Sequence, residues 1–125
     1  MKYQFANGKT CCEVPYRNGV REGVGRMYYT TGTLYATETY ANDVLNGPTV
    51  TWYDTGVKQA ELNYVDGLLE GTCREYYLNG KLESEVEYKA GRKHGTSVVY
   101  LESGEVAGRY TYHQDDLVQP ASPTT

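Results

Sequence analysis

Apolar and polar residues alternate with a period of two along most of the chain, in short runs broken by glycine-centred segments. No stretch keeps the 3.6-residue spacing of an amphipathic helix. One run places Leu34, Ala36, Glu38 and Tyr40 on one side; its counterparts are Lys58, Ala60, Leu62 and Tyr64, then Leu82, Ser84, Val86 and Tyr88. Such alternation predicts strands that put every second side chain on the same face. The runs are also copies of one another, because the sequence matches itself without gaps at an offset of 24 residues. Gly23, Gly47, Gly71 and Gly95 hold one phase, and Gly8, Gly32, Gly56, Gly80 and Gly104 another. Tyr16, Tyr40, Tyr64, Tyr88 and Tyr112 hold a third, Phe5, Tyr29, Tyr53, Tyr77 and Leu101 a fourth, and Tyr28, Trp52, Tyr76 and Tyr100 a fifth.

Each unit reads as two short strands and a tight turn. Asn7-Gly8, Thr31-Gly32, Thr55-Gly56, Asn79-Gly80 and Ser103-Gly104 are expected as two-residue turns of the primed type, which need positive φ. A second connection spans Gly67 to Gly71 and its equivalents, with Asp43 and Asp115 in place of the first Gly, and Asp tolerates the left-handed region. The phase of Cys12, Ala36, Ala60, Ser84 and Gly108 is small throughout, which predicts close packing between hairpins. Pleating would send Cys11 to the face opposite Cys12. The predicted fold is all-β: tandem 24-residue hairpin repeats forming one long, curled antiparallel sheet over residues 1–118. Its units are about 1–17, 18–41, 42–65, 66–89 and 90–118, and residues 119–125, with Pro120 and Pro123, are expected to be a disordered tail.

Composition narrows the function. Gly and Tyr each occur 14 times against one Phe and one Trp, a turn-rich skew, and the net charge of -4 disfavours nucleic acid as a direct partner. Met1 to Thr10 contain no apolar segment of the export type, and no apolar run approaches a membrane span. With only three cysteines, two of them adjacent, neither a disulfide framework nor a spaced metal site is expected; we read reduced thiols and a cytoplasmic location.

Gly91-Arg92-Lys93-His94-Gly95, set between aromatic strands, resembles the core of a MORN repeat. The longer unit, with Tyr76-Tyr77 followed by Leu78-Asn79-Gly80-Lys81-Leu82, resembles the variant MORN repeat of bacterial YwqK-type antitoxin proteins, over about Lys2 to Leu117. The resemblance implies a non-enzymatic repeat module that binds proteins or associates with membranes, and in the bacterial variant an antitoxin-like role. The Gly-x-Gly of common MORN repeats survives only at Gly23-Val24-Gly25, and the basic turn Arg92-Lys93-His94 occurs once.

If Asn79-Gly80 is a two-residue turn, Tyr76 faces Glu83, Arg74 faces Glu85 and Thr72 faces Glu87. One face would then carry Trp52, Tyr76 and Tyr100, with Tyr28, beside Glu61, Glu83, Glu85 and Glu87. Between residues 61 and 87 there are seven acidic residues and two basic ones, Arg74 and Lys81. An acidic aromatic surface suits a basic protein partner such as a toxin or effector, with aromatics as anchors and carboxylates steering the encounter. The same charges would also keep an exposed sheet soluble, with Arg74–Glu85 and Glu85–Arg109 as cross-strand pairs. Three glutamates on one strand face repel one another, which favours a partner. Arg92 and Lys93 are the candidates for contact with an anionic lipid headgroup, and an open edge strand offers a route to a homodimer. His94 is expected to be a turn residue and Cys73 a small strand residue. No cofactor, metal or catalytic motif is expected.

Overall fold

A computed structural model describes the backbone of residues 1–120 and the side chains of residues 1–118. All regular structure in that range is β: β1 (Lys2–Gln4), β2 (Thr10–Glu13), β3 (Tyr16–Arg17), β4 (Val20–Arg21), β5 (Gly23–Tyr28), β6 (Leu34–Ala41) and β7 (Val44–Trp52). There follow β8 (Lys58–Val65), β9 (Leu68–Leu69), β10 (Gly71–Tyr76), β11 (Leu82–Lys89), β12 (Arg92–Tyr100), β13 (Val106–His113) and β14 (Asp116–Pro120). They form one antiparallel sheet in the order β1-β2-β5-β6-β7-β8-β10-β11-β12-β13-β14, with β9 paired to β8 and β3–β4 as a separate two-stranded ribbon. Neighbours in sequence are neighbours in space, as the repeat requires. Strand β14 includes Gln119 and Pro120, which sequence had assigned to the tail; they pair with Thr111 and Tyr110. The remainder of the expected tail lies outside the described residues.

The two kinds of turn are exchanged relative to expectation. At Asn79-Gly80 only the glycine has positive φ, at 88°. The Tyr77 amide donates to the Lys81 carbonyl at 2.8 Å and the Gly80 amide to the Tyr77 carbonyl at 2.9 Å. That is a three-residue loop whose last residue is left-handed. The Asn79 side chain accepts from the Lys81 amide at 2.9 Å, closing the loop from inside. Primed two-residue turns instead occupy the second connection, where consecutive residues are both left-handed: Asn18-Gly19, Asn42-Asp43, Asp66-Gly67, Ala90-Gly91 and Gln114-Asp115. Successive turns of this kind interlock, since the amides of Asp43, Gly67, Gly91 and Asp115 donate to the carbonyls of Arg21, Leu45, Leu69 and Lys93, one repeat earlier. Side chains at a further phase help: Glu22 and Glu70 accept from the amides of Asn42 and Ala90.

The three-residue loops displace the register by one. Each hairpin carries an irregularity before its aromatic, so Tyr28, Trp52, Tyr76 and Tyr100 pair with Leu34, Lys58, Leu82 and Val106. Paired residues share a face. Tyr76 therefore faces Leu82 and not Glu83, and Lys58 lies on the aromatic side rather than beside Ala60, reaching Glu61 at 3.3 Å.

Two rows of paired positions define the faces. Across the front face Glu13, Arg26, Thr37, Val50, Glu61, Arg74, Glu85, Val98 and Arg109 follow one another strand by strand. Across the back run Cys12, Met27, Ala36, Thr51, Ala60, Glu75, Ser84, Val99 and Gly108. Burial concentrates on the back, at Gly25, Ala36, Thr49, Ala60, Cys73 and Ser97. The repeated tyrosines cover this row; a Cβ at Gly25 would stand 3.5 Å from the Tyr40 ring. Arg21 closes over that ring at 4.4 Å and Lys93 over Tyr112 at 5.0 Å. Among the described residues no large side chain is fully buried, and the accessible surface of 7730 Å² exceeds the roughly 6,700 Å² of a globular chain of this mass. The fold is a single layer held by strand pairing and by contacts from each repeat to the next.

Candidate functional site

The front face brings together the aromatic phase and part of the predicted acidic set. The Tyr28 hydroxyl donates to Glu13 at 3.3 Å, Tyr76 to Glu61, and Tyr100 to Glu85 at 3.1 Å. Each pair is separated by the same 15 positions. Trp52 has no hydroxyl, and the residue at the accepting position is Thr37, so the one break in the tyrosine series coincides with the one break in the glutamate series. Arg74 lies between Glu61 and Glu85 in the row and donates to Glu85 at 2.8 Å.

These contacts set the protonation of the site. The Tyr76 hydroxyl holds the Glu61 carboxyl below the usual carboxylate range, assisted by Lys58 and Arg74, so Glu61 is ionised at neutral pH. Burial, and then the adjacent Glu61 charge, push Tyr76 up to about 12. Tyr28 and Tyr100 rise for the same two reasons. The hydroxyls are therefore donors to carboxylates whose second oxygens accept from Lys58 at Glu61 and from Arg74 at Glu85, and the two acidic side chains keep exposures of 35% and 29%.

Of the other members of the predicted face, Glu87 stays on the front, paired with Thr72, whereas Glu83 lies elsewhere. Glu83 is the extra residue of the irregular pairing and lines a hollow with Thr51, Tyr53, Gln59, Ala60 and Glu75, on the back face. Glu87 accepts from the Thr96 amide at 3.1 Å and fills the space over Gly95 where a Cβ would stand, so its carboxylate satisfies the backbone. Thr39 and Asn63 hold the same phase and likewise bond the backbone, but as donors, to the carbonyls of Pro48 and Glu70. The expected Arg74–Glu85 pair is present, whereas Val98 stands between Glu85 and Arg109 in the pairing and separates that second pair. Glu13 and Arg26, which sequence reasoning left out, extend the charged row toward the N-terminus; their phase with Glu61 and Arg74 was the available signal.

The basic segment Arg92-Lys93-His94, expected as a turn, opens strand β12 instead, and it too divides. Lys93 is taken up by the Tyr112 ring, while Arg92 joins Lys89, His94 and His113 around a groove of about 470 Å³. The two imidazoles meet at a tilt of 53°, with centroids 5.3 Å apart. Cys73, 4% exposed, is the small buried strand residue that was expected, and burial raises its thiol. Among the described residues no group of three His, Cys, Asp or Glu side chains is placed to hold a metal ion, and no helix is long and apolar enough to cross a membrane.

A family model described as MORN repeat variant matches residues 21–42, 45–66 and 69–90. No curated protein matches the sequence. Among solved structures, a mutant of S. aureus TarM in complex with Fondaparinux, alpha-GlcNAc-glycerol and UDP is similar at 15% identity and a TM-score of 0.50. That match covers 88% of this chain and 21% of the TarM chain. A second TarM structure gives 16% identity and a TM-score of 0.49, over the same shares of the two chains. The chain thus spans about a fifth of the length of those structures, and the likeness to the first concerns fold alone.

Proposed function

The chain belongs to the MORN repeat variant family, whose repeats form protein-binding or membrane-associated modules, and from that premise we propose a non-enzymatic binding protein that occludes a basic protein partner with its front face. The finer reading is an antitoxin or immunity protein acting in the cytoplasm on a basic toxin or effector. One observation carries it: the row of Tyr28, Trp52, Tyr76 and Tyr100 is continuous over four repeats, and each of its tyrosines donates its hydroxyl to a carboxylate, Glu13, Glu61 or Glu85. Half-buried aromatics flanked by charge supply anchoring area together with a steering field. Trp52 is the anchor least committed to internal bonds, and Glu61 and Glu85 are the steering charges.

The test is a low-salt affinity capture from native lysate with the tagged chain, alongside the Glu61→Gln/Glu85→Gln and Trp52→Ala variants. The expected result is one basic protein in near-equal amount. With that protein purified, the double Gln variant should associate about tenfold more slowly at low ionic strength and Trp52→Ala should dissociate faster. Capture unaffected by both variants, or no stoichiometric partner at all, overturns the assignment of the front face.

A second reading rests on the groove of Lys89, Arg92, His94 and His113, which gathers basic groups at one point of the sheet. It supports attachment to an anionic membrane through the Lys89 and Arg92 charges. Flotation with phosphatidylserine vesicles, lost in Arg92→Gln, tests it; protein remaining in the aqueous fraction removes it.

A further inference from the structure

Cys11 and Cys12 are adjacent in the chain, and regular pleating would point their side chains to opposite faces. They are not opposed: the first hairpin is irregular between Tyr3 and Gln4, so Cys12 pairs with Tyr3, Thr10 pairs with Gln4, and Cys11 is the extra residue. The Gln59–Ala60 step of a later repeat behaves alike, with both residues lining one hollow. The two sulfurs are consequently 3.0 Å apart. Both residues are half-buried, so the dithiol is accessible from solvent.

We propose that Cys11 and Cys12 form a chelating dithiol site for a trivalent metalloid, arsenic or antimony, bound through two sulfur bonds. Three considerations select this occupant. A direct disulfide is disfavoured, because consecutive Cα atoms lie about 3.8 Å apart, short of the roughly 4.4 Å minimum that an unstrained bridge spans. One atom inserted between the sulfurs enlarges the ring and relieves that strain. A linear two-coordinate ion needs its sulfurs on opposite sides and much farther apart, whereas a pyramidal trivalent centre holds its ligands near right angles and matches a close pair. An ion that requires further His, Cys, Asp or Glu ligands finds no such group among the described residues.

With an organic arsenoxide the step balances without a redox partner: two S–H bonds break, two S–As bonds form, and the arsenic-bound oxygen leaves as water with the two thiol protons. The hydrogen bond with Cys11 raises the Cys12 thiol, so Cys12 enters the step protonated.

The test uses phenylarsine oxide on the full, folded chain, read by native mass spectrometry. One adduct per chain is expected, heavier by the arsenoxide less one water, stable to excess glutathione and removed by dithiothreitol. Cys11→Ser and Cys12→Ser should each weaken retention about 100-fold or more, since only a chelate has the high effective concentration of a second tethered sulfur. Cys73→Ala should keep the adduct. Circular dichroism of each variant confirms that the sheet is intact. An adduct retained in either serine variant, or displaced from the native chain by glutathione, overturns the proposal.

Discussion

Replacing Tyr53 by Phe removes one hydroxyl and leaves the ring in place, which isolates a single contact between repeats. The hydroxyl donates to the Tyr76 carbonyl at 2.6 Å, tying one three-residue loop to the end of the first strand of the next repeat. Tyr29 makes the same bond to the Trp52 carbonyl at 2.6 Å, and Tyr77 to that of Tyr100. A neutral hydrogen bond of this kind contributes about 1 kcal/mol net, because the unfolded chain satisfies both groups with water. The bond is only partly buried, so water can reach the freed carbonyl and the cost should stay near that value. For a chain of this length, 1 kcal/mol corresponds to a fall in Tm of about 4 °C. Since the three bonds share no atoms, the triple Tyr→Phe variant should lose about 3 kcal/mol. Urea unfolding followed by the fluorescence of Trp52, the sole tryptophan, reads the midpoint, and circular dichroism reads the whole sheet. Loss of contacts between repeats should also separate the two transitions, as in other quasi-one-dimensional folds. A triple variant within about 0.5 kcal/mol of the parent would refute the assignment of these bonds as the coupling between repeats.

Other perturbations address other features. The hydroxyls of Thr49 and Ser97 are buried without a partner, so Ser97→Ala should leave stability unchanged or raise it by about 1 kcal/mol in the same urea assay. Ala90 has a φ of 51°, a region costly for a residue with a Cβ, and Ala90→Gly should stabilise by about 1 kcal/mol, raising the Tm by a few degrees. Spectrophotometric titration should find a tyrosine ionising near pH 12 in the native chain and at lower pH in Glu61→Gln, though still above 10 because burial is the larger cause. Tyr76 is raised on folding, so its contribution to stability is present below about pH 10 and lost as the pH climbs toward 12. Glu61 is depressed, so its contribution is present above its ordinary value near 4.5 and lost as the pH falls through its lower folded value.

The repeat, the all-β class and the buried phase of small residues were legible because each depends on spacing alone. Register was not. Asn79-Gly80 carries the usual signature of a two-residue primed turn, yet Asn79 keeps negative φ and its side chain closes a longer loop. The true primed turns include Ala90-Gly91 and Gln114-Asp115, whose first residues have no preference for the left-handed region. There the interlocking amide bonds to the preceding repeat override local propensity. That single displacement explains the misplaced residues: Glu83 moved to the back, Lys58 moved to the front, and Cys11 came alongside Cys12. Glu61, Glu85 and the aromatic phase survived because they lie beyond the irregularity or pair across it. The role of Glu87 was hidden for a different reason. Its backbone partner at Thr96 lies beside Gly95, nine residues away across a second irregularity.

The backbone bonds that interlock the turns and the hydroxyl bonds of the tyrosine ladder share one property: each joins a residue to one 22 or 23 positions away. Excise residues 42–65 and the Tyr29 hydroxyl meets the Tyr76 carbonyl as it formerly met that of Trp52, while Asp66-Gly67 takes the place of Asn42-Asp43. The amide of Gly67 would then find the Arg21 carbonyl waiting. Tandem duplication or deletion of a whole unit leaves no unmatched surface behind, so the number of rungs is free to drift by recombination. What selection has to hold fixed is the phase, and the length of the face offered to a partner becomes an adjustable quantity.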